Sequence, residues 1–312
     1  DGSVDGFATI RIDFAASQAG TNIPAEGAHP LSVEATDVAG NRSLQSDELL
    51  VEIDSTSPVA STINLADLSD SNIVGDSVTN KMQPVVFGVA EANAKVHVFA
   101  NGVLVGTAIA QSDESDGDAT DGLGIWELTS EPLVDGEYVF VTLVEDIAGN
   151  FGPESQALPV TIDGTPPQFP SIDLVNSNDT GWSDMDNVTI GDPAAVPGQV
   201  NLRITGEPGS TAVLKDGDTV IGAPFVIPPS GIAIRTTNLA EGPHPLTSEV
   251  TDLAGNRTQS EQLLVEVDVT APPPSTPDLA TYSDTGTSDT DNVTSTTQPA
   301  FLGTAEANAR VH

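Results

Sequence analysis

This sequence predicts an all-β chain built as a row of sandwich domains, on three observations. The tripeptide Ala-Gly-Asn occurs three times behind an acidic and an apolar residue, as Asp37-Val-Ala-Gly-Asn41, Asp146-Ile-Ala-Gly-Asn150 and Asp252-Leu-Ala-Gly-Asn256, at intervals of 109 and 106 residues. Each strand-like run after that turn ends in Asp followed by a segment rich in Ser, Thr and Pro: Asp54-Ser-Thr-Ser-Pro58, Asp163-Gly-Thr-Pro-Pro167 and Asp268-Val-Thr-Ala-Pro272. Between these landmarks, short apolar runs of strand length alternate with Gly, Pro, Asn and Asp turn signals, and no helical period appears. A period of this length is too long for a solenoid unit and suits a domain with its own core. The junction Asp residues set the boundaries: 1–54 is the C-terminal part of a repeat, 55–163 and 164–268 are complete repeats, and 269–312 is the N-terminal part of another.

The elements can be read in order along 164–268. Ser171–Val175 is a short first strand, and Asn176–Thr189 is a polar, acidic loop. Gln199–Ile204 alternates apolar and polar residues as a half-buried strand does. Gly206-Glu-Pro-Gly209 turns the chain, and Ala212–Ile221 reads as a hairpin with Asp216-Gly217 at its tip. Ile232–Thr236, Pro245–Val250 and Leu263–Val267 supply the later strands. Seven short strands with frequent turns point to an immunoglobulin-like β-sandwich, the alternative being another all-β sandwich of equal size. Residues 55–163 follow the same order, with Val96–Val105 as the hairpin and an acidic insert, 113–122, before a strand around Trp126. The two end pieces each lack the strands that would close a core. The expectation is a stretch of a longer array cut out of phase, or neighbouring chains completing each other's split domain by strand addition.

Composition narrows the function. Nine Lys and Arg against 46 Asp and Glu give a net charge of −37, which makes nucleic acid and anionic membranes poor partners. With 38% hydrophobic residues the chain has enough apolar matter to fold despite that charge. Self-repulsion on this scale calls for bound cations or high salt. The absence of cysteine removes disulfides, thiolate metal sites and cysteine catalysis. No apolar run reaches the roughly 18 residues of a membrane span, so direct membrane insertion is not expected.

In a sandwich of this topology the entry point and the loops after the second and sixth strands share one pole. That places the junction Asp, the Glu after the second strand and the Asp of the Ala-Gly-Asn turn together: Asp54, Glu91 and Asp146 in one repeat, and Asp163, Glu207 and Asp252 in the next. The last repeat carries Asp268 and Glu306, and the first only Asp37. Converging carboxylates without a base repel unless a cation lies between them, and oxygen ligands without His or Cys specify a hard ion such as Ca²⁺. The competing reading is an Asx-type turn, in which the Asp caps backbone N–H groups before Gly. A second pattern lies in the first loop. At the opposite pole, Asp179, Asp184 and Asp186, matched by Asp284, Asp289 and Asp291, are expected to point carboxylates toward one locus as calcium loops do, while the loop Asp70–Asp76 is one residue shorter and a carboxylate poorer.

These motifs resemble the tandem bacterial immunoglobulin-like repeats of giant secreted adhesins and biofilm-associated proteins, including the extender regions of RTX adhesins. The likeness rests on the Asp-Val/Ile/Leu-Ala-Gly-Asn turn, Gly303-Thr-Ala-Glu306, the Ser-Asp-Thr-Gly loop at 283–286, and the junction Asp before Thr-Pro or Thr-Ala-Pro. It implies extracellular, calcium-rigidified spacer domains at a bacterial cell surface, with adjacent repeats of the same protein as the partners and neighbouring copies in a filament or matrix as further ones. The resulting expectation is a calcium-stabilised extender that projects a distal binding region. The alternatives are a head-to-tail filament or surface-layer subunit and a sugar-binding module.

Catalysis is not expected. His29, His97, His244 and His312 fall at unrelated places in the repeat, no nucleophile or phosphate-loop motif appears, and the paired carboxylates recur at every junction rather than in one cleft. Trp126 is expected in the core. Trp182, in an acidic loop, is open to either a structural or a sugar-stacking role. The insert 113–122 lacks the ligand order of an EF-hand and reads as a solvated loop.

Overall fold

A computed structural model describes residues 25–192, 196–307 and 309–312, and these form two compact units. The first runs through Thr165 and takes in Leu253–Asn256; the second comprises Pro166–Asp252 and Arg257–His312.

In the first unit, β1 (Gly27–Leu31) pairs antiparallel with β2 (Leu49–Ile53). The repeat that follows contains β3 (Asn64–Leu65), β4 (Val78–Thr79), β5 (Val85–Glu91), β6 (Lys95–Ala100), β7 (Val103–Ile109), β8 (Leu123–Thr129), β9 (Gly136–Glu145) and β10 (Leu158–Ile162). They form two sheets, ordered β3-β5-β8 and β4-β10-β9-β6-β7. Alternation decides which side chains enter the core. Val96 and Val98 of β6, Phe140 and Val144 of β9, and Val86 and Ala90 of β5 point inward and meet Trp126 of β8, which is 1% exposed. The core position expected for Trp126 is therefore the one it occupies. The hairpin expected at Val96–Val105 is β6–β7, and it turns on Asn101 and Gly102, both at positive φ (48° and 78°), the backbone a two-residue turn of matching twist requires.

The second unit repeats this plan. Its strands are β11 (Ser171–Leu174), β12 (Val188–Thr189), β13 (Gln199–Thr205), β14 (Thr211–Asp216), β15 (Thr219–Val226), β16 (Ile232–Asn238), β17 (Gly242–Thr251), β18 (Arg257–Gln259) and β19 (Leu263–Val267). The sheets are ordered β11-β13-β16 and β12-β19-β17-β14-β15, with β18 on β17. Val200, Leu202, Ile204, Leu246, Val250 and Val265 build a separate core. A further pair, β20 (Asp278–Leu279) and β21 (Phe301–Leu302), follows.

Three details differ from the expectation. Each complete repeat has an extra two-residue strand, β4 or β12, that pairs parallel with its last strand, because the first strand crosses from one sheet to the other after the acidic loop. The β14–β15 turn consists of Gly217 and Asp218, since Asp216 still pairs with Thr219. The insert begins with one turn of 3-10 helix at Asp113–Asp116. No helix among the described residues is long and apolar enough to cross a membrane.

Candidate metal and linker sites at the domain ends

The Ala-Gly-Asn turn is held first by its own Asp. Asp146, 6% exposed at the end of β9, accepts the Asn150 backbone N–H on Oδ1 (2.8 Å) and the Asn150 side-chain amide on Oδ2 (2.8 Å). Burial works to raise its pKa, but bonds from the Asn150 side chain and backbone, and from Gly149 and Ala148, outweigh it and hold the carboxyl below 3.8. Asp37 does the same in the exposed first turn, accepting from Ala39 N (2.9 Å), Asn41 N (2.8 Å) and Asn41 Nδ2 (2.7 Å). The Asx-type capping is therefore present. The four turn donors to Asp146 match the roughly four lone-pair sites of a carboxylate, so a cation at Asp146 has to share or displace a turn donor.

Around that turn the first unit brings Asp54, Glu91 and Asp146 within electrostatic reach of one another. Glu91, half-buried at the end of β5, has its pKa pushed up by burial first, and then by the charges of Asp146 and Asp54. The group is all oxygen, the donor type that suits a hard cation. Asp54 itself accepts the Thr56 N–H (2.9 Å). Among the described residues, no three His, Cys, Asp or Glu side chains stand already gathered around a common point as metal ligands.

The corresponding residues of the next repeat divide between the two units. Asp163 lies in the first and accepts the Thr165 N–H (3.0 Å). In the second, Glu207 accepts the Gln168 N–H (3.2 Å), and Asp252 is buried at the end of β17. Asp268 and Glu306 line, with Gly181, Trp182 and Asp186, a cavity of about 490 Å³. Asp184, Asp289 and Asp291 are exposed in their loops, whereas Asp179 and Asp284 are buried.

A second group of carboxylates, missed in the sequence, holds the linkers. Glu26 accepts the Ser55 N–H on both oxygens (3.0 and 3.1 Å), Asp135 accepts Gly164 N (2.7 Å) and the Thr165 hydroxyl, and Glu241 accepts the Thr270 hydroxyl (2.7 and 2.9 Å). The other side of the linker is held by the turn Asn: Asn150 Nδ2 donates to the Asp54 carbonyl (3.1 Å) and Asn256 Nδ2 to the Asp163 carbonyl (2.8 Å). The signal was in the sequence, because Glu26-Gly, Asp135-Gly and Glu241-Gly recur at the same 109- and 106-residue spacing as the turns. The Thr165 hydroxyl and then the Gly164 N–H hold the Asp135 pKa below 3.8. A carboxyl depressed in this way contributes its tether above its ordinary range and loses it as pH falls through the lowered value. Asp135→Ala is expected to leave both complete repeats folded and to speed hydrogen exchange at Gly164 roughly tenfold, as read by NMR. Unchanged exchange at Gly164 would remove Asp135 from the linker.

Two histidines are held by carboxylates. His97 Nε2 lies 2.9 Å from Glu145, and His244 lies between Asp216 and the Ala240 carbonyl. Trp182 is 76% exposed.

The profile of the bacterial Ig-like domain matches residues 56–164, 166–269 and 270–312. Among solved structures, the chain is similar to fibronectin(III)-like modules of Clostridium thermocellum CbhA, at 14% identity over 66% of this chain and 94% of that one, with a TM-score of 0.36. It is also similar to the BSP domain of a biofilm associated protein, at 21% identity over 69% and 30%, TM-score 0.23. The human OSCAR ligand-binding domain gives 15% identity over 67% and 100%, TM-score 0.28. Comparison with curated proteins gives no match.

Proposed function

This chain belongs to the bacterial Ig-like domain family, matched three times in tandem, and from that premise we propose that it is a spacer: a calcium-stabilised run of repeats that carries a distal binding region away from a bacterial cell surface. The observation that carries the calcium half of this reading is the Asp54, Glu91 and Asp146 group, where the two Asp charges act against a half-buried Glu91. A Ca²⁺ ion would be held by these carboxylates, and what it supplies is charge neutralisation and a crosslink between a linker and two loops of the repeat that follows it. The linker bonds from Glu26 and Asn150 favour the same outcome, because they already restrain the segment a spacer must keep stiff.

The array would work outside the cell, with adjacent repeats of the same protein as its partners. We assign it no enzymatic role, since the acidic groups recur from repeat to repeat rather than meeting in one cleft. The test is reach. With this chain displayed on a bacterial surface beneath an epitope tag, adding further copies of residues 55–268 should move the tag outward in equal steps, measured by immunogold labelling. A tag that stays at one distance from the envelope as repeats are added would reject the spacer role.

A further inference from the structure

The side of the sandwich where the two sheets end differs between the complete repeats. In the first, β7 and β8 are the last strands of their sheets and close on each other, with Trp126 and Val105 both in the core (1% and 3% exposed). In the second, β15 and β16 take those places. Arg235 stands where Trp126 does, because β13 and β16 pair as β5 and β8 do, and it follows the buried Ala233 by two residues on the inward side of β16. The β15 edge also bulges. Ala212 pairs with Phe225 and Leu214 with Ile221, which leaves Gly222, Ala223 and Pro224 opposite Val213, whereas the bulge of β7 is the single residue Val105. Between the two edges lies a cavity of about 250 Å³, walled by Leu214, Ile221, Ala223, Pro224 and Phe225 and lined also by Arg235 and Thr237.

Arg235 is half-buried there with its charge unmet. Its guanidinium lies over the Phe225 ring, 3.9 Å from the centroid, and its Nε is sealed from solvent with no hydrogen-bond partner. Other bases find acids: Lys215 and Arg257 bind Glu249, Lys95 binds Glu145 and Arg42 binds Glu34. Among the described residues no carboxylate pairs with Arg235, although the chain carries 46 Asp and Glu. A half-buried cation without a counter-charge weakens the repeat that holds it, and the neighbouring repeat fills the same place with an indole. With Nε covered, the Nη groups are what the guanidinium presents to the cavity. We propose that this cavity binds a small organic carboxylate, its anion held end-on by the Nη groups of Arg235 and its apolar body lying against the walls. The planar fork of a guanidinium matches a carboxylate. A single charge is also what a chain of net charge −37 repels least, which disfavours phosphate and sulfate. The volume falls below the roughly 300–1,000 Å³ of drug-sized sites, so the ligand is on the order of one sugar ring or one amino acid. This site is independent of the calcium and spacer readings, and it gives one repeat a binding role that the other lacks.

The sealed Nε–H is the reporter, because protection from solvent slows its exchange and keeps its NMR signal visible. Galacturonate, an acidic sugar, and N-acetylalanine, which mimics a peptide C-terminus, are the probes for the full chain, with galactose and sulfate as controls. At least one carboxylate should shift the Arg235 Nε–H and the Thr237 amide saturably, and the one that does so identifies the source. Galactose and sulfate should shift neither. Arg235→Lys, which keeps the charge and loses the fork, should weaken binding about tenfold, read at the Thr237 amide. Arg235→Met should abolish binding and leave the melting temperature of the repeat equal or higher, since it removes an unpaired half-buried charge. Shifts that are absent with both carboxylates, that sulfate reproduces, or that keep the same affinity in Arg235→Lys would overturn the proposal, and would leave the cavity to water.

Discussion

Calcium should raise the melting temperature of this chain and chelation should lower it, the largest solution effect expected. At a Kd on the order of 10⁻⁴ M, typical of extracellular modules, calcium at roughly 100 times Kd adds about 2.7 kcal/mol per independent site. For a domain of this size that corresponds to a shift on the order of 10 °C. The shift has a pH signature set by Glu91, whose folded pKa lies above its ordinary 4.5. In chelator, a raised carboxyl contributes stability that is fully present below about 4.5 and is lost as pH rises through the folded value, because the ionised form meets Asp146 and Asp54. Calcium competes with that proton. The calcium-dependent shift should therefore be largest at neutral pH and shrink on acidification through the Glu91 range. Calorimetry with and without calcium, repeated across pH, reads both effects, and superimposable curves would remove the metal from the account.

Trp126→Ala should unfold one repeat and spare the other. Trp126 is among the largest side chains in the core of residues 55–163, and none of its core neighbours belongs to the core built around Leu202 and Leu246. Truncating a buried Trp costs about 3–5 kcal/mol, a large part of the stability of a single domain. The expected thermogram has one transition lowered by about 15 °C or more and one left in place. Trp126→Phe should cost far less, since it keeps a ring in the core and removes an indole N–H that has no hydrogen-bond partner. A single transition that moves as a whole in the Ala variant would mean the repeats do not fold as separate units.

What could be read from residues alone followed how strongly each element states its period. Leu263–Val267 and the Asn101-Gly102 hairpin were legible because alternation and turn chemistry agree there. The strands β4 and β12 were not, since two residues carry no period and both follow an acidic loop that reads as irregular. The carboxylates at the domain ends were legible as a pattern, but their division of labour was not. That Asp146 spends its in-plane acceptors on Asn150, while Asp179 keeps one oxygen unpaired, depends on which backbone N–H groups the fold turns toward each side chain. Asp70 looked weak because its loop is short, yet it is as buried as its counterparts. Glu26, Asp135 and Glu241 resembled ordinary turn acids, and their partners lie 29 or 30 residues away, beyond any local reading.

The central claim is that a cation turns a chain of sandwiches into a stiff spacer, and small-angle X-ray scattering on arrays with increasing repeat number measures this directly. Strands of about seven residues at roughly 3.3 Å per residue, with loops at both ends, make each repeat on the order of 40 Å long. With calcium, the maximum dimension should grow by about that length per added repeat, and with chelator it should grow more slowly, toward the square-root dependence of a flexibly jointed chain. Scattering curves that are the same in calcium and in chelator, or a compact particle in calcium, would contradict the account.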